Sequence, residues 1–193
     1  MRINRRNMAS RMVGVQLMLL GGGSSCQACG CGSAPDPDCV CNIFDAPVIS
    51  QSTAQSNIWA ASMFLTGSSG KIITSIQLRT PTWTSANSSG ATLKIFSHST
   101  ANGGIPNAAL HTLTYPATLG DDVTFTSVGY TVSANTYYWV VLSENGPWEF
   151  TDHNACIDGT VPYCQIRWAD YVSGTWSPAD GGPYAFRIFG DDI

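Results

Sequence analysis

Seven cysteines, three histidines and two glutamates are the side chains here best suited to covalent, metal or acid–base chemistry. The histidines, His98, His111 and His153, are scattered, and none falls in an H-x-H or H-E-x-x-H spacing that would point two imidazoles at one metal ion. There is no G-x-S-x-G elbow and no glycine-rich phosphate loop. Glu144 and Glu149 lie five residues apart around Gly146-Pro147. A glycosidase needs a carboxyl pair across the scissile bond, with Asp152 as a further candidate. Two solvated carboxylates at a loop is the simpler reading, and Asp152-His153 reads as an ordinary loop pair. Asp121-Asp122 and Asp191-Asp192 lack the ligand spacing of a calcium loop. The expectation is a protein that is not an enzyme, with no cofactor and no bound metal.

The cysteines form two groups. Cys156 and Cys164 bracket a turn-rich loop, Ile157 to Tyr163, that a disulfide would close, worth about 2–3 kcal/mol through loop-closure entropy. Cys26, Cys29, Cys31, Cys39 and Cys41 are spaced C-x2-C-x-C-x7-C-x-C. Zinc sites usually pair two C-x2-C knuckles across a longer spacer, so two local disulfides with one spare thiol fit at least as well as a metal cluster. The spare thiol is available to join chains or to carry a lipid at Cys26. Such cysteine usage suits an oxidising destination.

Aromatic residues offer a different chemistry. Of Trp83, Trp148, Trp168 and Trp176, with Tyr163, Tyr171 and Tyr184, several fall in segments that read as loops, and exposed rings stack on sugars; Trp148, Trp168 and Trp176 are the ones taken together. They are the candidate glycan platform, against the competing expectation that they fill a core or a subunit interface. Asn87-Ser88-Ser89 matches a glycosylation sequon and marks a surface turn.

Short β-branched and aromatic runs must position these groups. Tyr137–Ser143 is the densest, and Trp59–Leu65, Lys71–Arg79, Thr92–Ser97, Leu110–Tyr115, Val123–Thr126, Gln165–Trp168 and Tyr184–Phe189 recur every ten to fifteen residues between Gly, Pro and Asn turns. This pattern predicts an all-β fold, a jelly-roll-like antiparallel β-sandwich of about eight strands. By composition residues 1–25 are a basic and apolar N-terminal arm or signal peptide. Residues 26–57 read as a cysteine-rich neck and linker, with an edge strand near Val48, and residues 58–193 as the sandwich.

Arg2, Arg5, Arg6 and Arg11 supply four of the nine basic residues. Beyond residue 11, five basic side chains face thirteen acidic ones, a net of −8, which disfavours nucleic acid as a partner of the β domain. Met12–Leu20 is an apolar stretch followed by Gly-Gly-Gly-Ser-Ser-Cys26. It has the layout of an export signal and is too short for a transmembrane segment. The alternative is a retained arm docked on another subunit.

The segments Thr92–Ser99, Gly103–Leu110, Val123–Thr126 and Tyr130–Ser143 resemble, in the same order, the choice-of-anchor R domain of exported bacterial and phage surface proteins. The resemblance covers residues 58–189 and implies a non-catalytic extracellular β-sandwich. The chain closes on Gly190-Asp-Asp-Ile193 without a hydrophobic anchor, so attachment is expected through residues 1–41 or through assembly. The expected role is a structural or attachment protein of an extracellular assembly, such as a virion decoration or fibre protein on the virion surface. Other virion or assembly subunits are its expected partners, in a homo-oligomer. The alternative is a lipoprotein-like module of the bacterial cell surface that binds glycan through aromatic loops.

Overall fold

The computed structural model describes residues 39–42, 48–101, 104–151, 168–179 and 184–193. Cys26, Cys29, Cys31, Asp152, His153, Cys156 and Cys164 lie outside the described residues. The chain runs through β1 (Cys39–Asn42), β2 (Val48–Ala54), β3 (Ile58–Leu65), β4 (Lys71–Leu78), the single helical turn α1 (Ser85–Ser88), β5 (Thr92–Ser99) and β6 (Ile105–Thr112). It continues through β7 (Thr124–Val132), β8 (Tyr137–Ser143), β9 (Gly146–Thr151), β10 (Trp168–Val172), β11 (Thr175–Ala179) and β12 (Phe186–Asp192). All pairings are antiparallel, and the fold is the expected all-β, sandwich-like one.

Three sheets result. Four strands follow the order β1-β12-β4-β7, six follow β11-β10-β3-β8-β5-β6, and β2 pairs with β9 alone. The main core lies between the two larger sheets. Ile73, Ile76, Phe125, Phe186 and Ile188 come from one side, and Phe64, Leu93, Ile95, Val140 and Leu142 from the other, all fully buried. Burying each such side chain contributes about 1.5–3 kcal/mol.

β8 shows why this sequence picks this place. Tyr138, Val140 and Leu142 face the main core, while Trp139 and Val141 are equally buried on the opposite face. A strand that is apolar on both faces belongs at a sheet's centre, and β8 sits between β3 and β5.

The imperfect alternation of Lys71–Leu78 has a cause in its partner. β4 and β7 pair at Ile73↔Tyr130 and again at Ser75↔Thr126, so Ser127, Val128 and Gly129 stand opposite Thr74 alone. Gly129 takes a φ of +99° in this bulge and Val128 is left 95% exposed. At its other side β7 is clasped at Thr126, which exchanges two backbone hydrogen bonds with Thr114.

Several boundaries differ from the sequence expectation. β6 begins at Ile105, ahead of the expected Leu110, and β11 carries Pro178. Proline reads as a turn, yet both strands form the ends of their sheet, where a missing N–H costs no ladder bond. Gly146-Pro147 opens β9 rather than a loop, which places Glu149 in a strand. β1 and β2 lie inside the compositional linker, so part of that segment is paired strand. Ser173 and Gly174, with φ of +50° and +97°, turn β10 into β11. A two-residue turn with both φ positive matches strand twist.

Candidate functional site

The face of the six-stranded sheet turned away from the main core carries a group of contacting aromatic side chains. Register fixes its rows. In one, Trp59 stands opposite Tyr171, and Tyr171 opposite Trp176. The next row is small, with Val141 paired to Ala61 and Ala61 to Ala169; Lys94 extends it on β5. In the third, Trp139 is flanked by Met63 and Phe96. Small residues thus form a floor between two aromatic rows.

The rows lean together over that floor. Trp59 stacks on Tyr171 at 4.4 Å, and Trp176 packs on both at 6.3 and 5.2 Å. The Phe96 ring meets Trp176 at 6.3 Å. These two residues sit four strands apart in sheet order, a separation of about 19 Å in a flat sheet. The sheet therefore curls, bringing β11 against β6. The floor and Trp139 are fully buried by the curl, whereas Trp59, Tyr171, Trp176 and Lys94 stay half-buried at its rim. The Trp59 Nε1 is buried without a hydrogen-bond partner, an uncommon state for an indole donor.

His98 closes the far end of this face. Its Nδ1 accepts from Trp139 Nε1 at 3.1 Å, and its ring stacks on Trp139 and tilts onto Tyr137. His111 faces elsewhere: its Nε2 bonds Ser127 Oγ at 2.9 Å and its ring stacks on Tyr130, tying β6 to β7. Burial, and secondarily Tyr138, hold the Tyr130 hydroxyl above its ordinary range.

Of the platform expected from sequence, Trp176 is on this face and Trp148 is not. Trp148 is completely buried, stacked on Tyr184 at 4.6 Å, with its Nε1 donating to Ala185 O at 2.8 Å. It offers no ring face to a ligand, because β9 turns it into the main core. The backbone of Trp168 pairs with Ser62 and Ala179 in β10. Cys39 and Cys41 lie in β1, opposite Phe189 and Ile188. Glu149 ion-pairs with Arg79 at 3.3 Å instead of standing free in solvent, while Glu144 sits in the β8–β9 turn with a φ of +73°.

Trp59, Phe96 and Trp139 were not singled out by sequence reasoning as site residues. A signal was present: in Trp59–Leu65 and Tyr137–Ser143 both alternating sets are apolar, which implies two covered faces rather than one. Among the described residues, no group of three or more His, Cys, Asp or Glu side chains is placed to hold a metal ion, and no helix is long and apolar enough to cross a membrane.

Comparison with protein-family models, with curated proteins and with solved structures found no match to this chain.

Proposed function

We propose that this chain is a non-catalytic attachment protein of an extracellular assembly, a virion decoration or fibre component fixed through residues 1–41. The observation that carries this reading is the half-buried aromatic cluster at the rim of a sheet whose six strands hold only two charged side chains, Lys94 and Asp170. Such a surface adheres. Among the described residues, His98, His111 and Glu149 hold the frame: His98 with Trp139, His111 with Ser127, Glu149 with Arg79. The resemblance to the choice-of-anchor R domain is consistent with that role.

The second reading, a bacterial surface module that binds carbohydrate, is favoured by the Trp59–Tyr171–Trp176 group, since aromatic rings stack on the C–H faces of sugars. Intact mass of the native protein, with and without reductant, separates the two. A mass that retains residues 1–25, with covalent oligomers that reductant releases, supports the assembly subunit. A mass beginning at Cys26 and heavier by lipid overturns it in favour of the tethered module.

A further inference from the structure

We propose that the aromatic rim of the six-stranded sheet binds an acidic polysaccharide, a chain of pyranose rings bearing carboxylates. The rings stack on Trp59, Tyr171 and Trp176, and Lys94 receives the anion. The inference deepens the carbohydrate-binding reading of this aromatic group given above and rests on it.

Three observations converge on this occupant. The first is shape and polarity: two indoles and a phenol, half-exposed and in mutual contact, present π-faces beside polar tips. The second is the Trp59 Nε1, which lacks a partner although buried. An orphan donor of this kind carries a desolvation cost that a sugar hydroxyl or carboxylate oxygen relieves as the ring adjusts.

The third is charge. The body of the protein is acidic, with a net of −8 beyond residue 11, yet on this face the sign reverses. Asp170 alternates to the opposite face, where Tyr184 OH donates to it at 3.3 Å, leaving Lys94 as the one charged side chain that the six strands place here. Lys94 lies two strands from Trp59, through β8, and one alternate position along. That is about 10 Å across the sheet and about 7 Å along it, a span that neighbouring units of one polysaccharide chain can bridge. Lysine is a flexible point charge suited to a carboxylate that is not held in a bidentate fork. A neutral glycan would leave this cation unused, and a protein partner would be expected to cover the floor that Trp176 and Phe96 already roof.

The test is tryptophan-fluorescence titration of the full chain with tetragalacturonate, with maltotetraose as the neutral control and anionic phospholipid vesicles as a second control. Saturable quenching by tetragalacturonate is expected, with maltotetraose bound at least about tenfold more weakly. Lys94→Met, which keeps the apolar stem, should weaken tetragalacturonate at least about tenfold and leave maltotetraose unchanged. Trp176→Ala should abolish both, with an unaltered far-UV spectrum. Absence of saturable quenching, equal affinity in the wild type and Lys94→Met, or binding of vesicles without the sugar would each overturn the inference. Loss of sugar binding beside an unchanged reductant-sensitive oligomer removes this inference and leaves the attachment reading in place. Sugar binding by a chain that begins at lipidated Cys26 does the reverse.

Discussion

Trp148→Ala should be among the most damaging single substitutions in the sandwich, and the reasons can be separated. The side chain is wholly buried, packed on Tyr184 and edge-on to Phe186. Truncating a buried tryptophan costs about 3–5 kcal/mol in lost transfer energy and residual cavity. The lost hydrogen bond adds little. Ala185 O, which accepts from Trp148 Nε1, also accepts the Arg79 N–H at 3.0 Å, so the acceptor is not orphaned. Trp148→Phe keeps a ring against Tyr184 and should cost about 1–2 kcal/mol, one net hydrogen bond plus a small void. Against a total stability of about 5–15 kcal/mol the alanine variant loses a large share, a fall in Tm of about 6–20 °C. Trp176→Ala, half-buried at the rim, should lose less than half as much. Urea unfolding followed by far-UV circular dichroism gives all three from the midpoint at constant m. If Trp148→Ala unfolds within about 1 kcal/mol of the wild type, or Trp148→Phe costs as much as Trp148→Ala, this account of the core is wrong.

Three further outcomes are expected. Gly190→Ala would bring a Cβ within 2.6 Å of Ile72 O across the β12–β4 bulge; backbone cannot give way, so urea melts should show a loss of about 1–3 kcal/mol. Thr66→Val keeps the shape of a buried side chain but strands Thr136 N–H, which donates to Thr66 Oγ1 at 2.8 Å, and Ser133 O, which accepts from it; the same melts should register about 1–3 kcal/mol. Asp170 is held above its ordinary carboxyl range of 3.8 by burial, only partly offset by the Tyr184 hydrogen bond. Its neutral form is therefore favoured on folding, and its contribution is present below pH 3.8 and lost as pH rises through the raised value. Asp170→Asn should then be at least as stable as wild type at pH 7, with the advantage gone below pH 3.8; a variant less stable at pH 7 contradicts this sign.

How much of this could be read from the chain depends on which physical rule governs each segment. Tyr137–Ser143 was legible to the residue because a central strand needs only apolar side chains on both faces, and that is a local property. The edge strand near Val48 was legible only at its apolar start, Val48-Ile49, because Ser50–Ala54 reads as polar linker. β9 and β11 were not, because Gly146, Pro147 and Pro178 are turn formers by themselves and become strand residues only where the ladder asks nothing of the proline nitrogen. The aromatic site was half legible. Trp176 was named for being aromatic among turn residues, but Trp59 and Phe96 join it only through a curl that brings sequence-distant strands together. Trp148 went the other way: its neighbourhood of Glu, Asn and Gly looks solvated, and only the pairing of β9 with β2 shows that it points inward.

The ends of the two large sheets have a consequence for how copies of this protein associate. The six-stranded sheet brings its terminal strands against each other. On the four-stranded sheet, β7 carries a three-residue protrusion at one point and a clasp at another, and β1 is four residues long with a shifted register. Backbone groups that would template an added strand are thereby turned inward, interrupted or short. Extension of these two sheets by strand-to-strand pairing between copies is hindered as a result. Contact between copies at these two sheets is then left to side-chain faces, whose spacing is not that of a ~4.8 Å ladder.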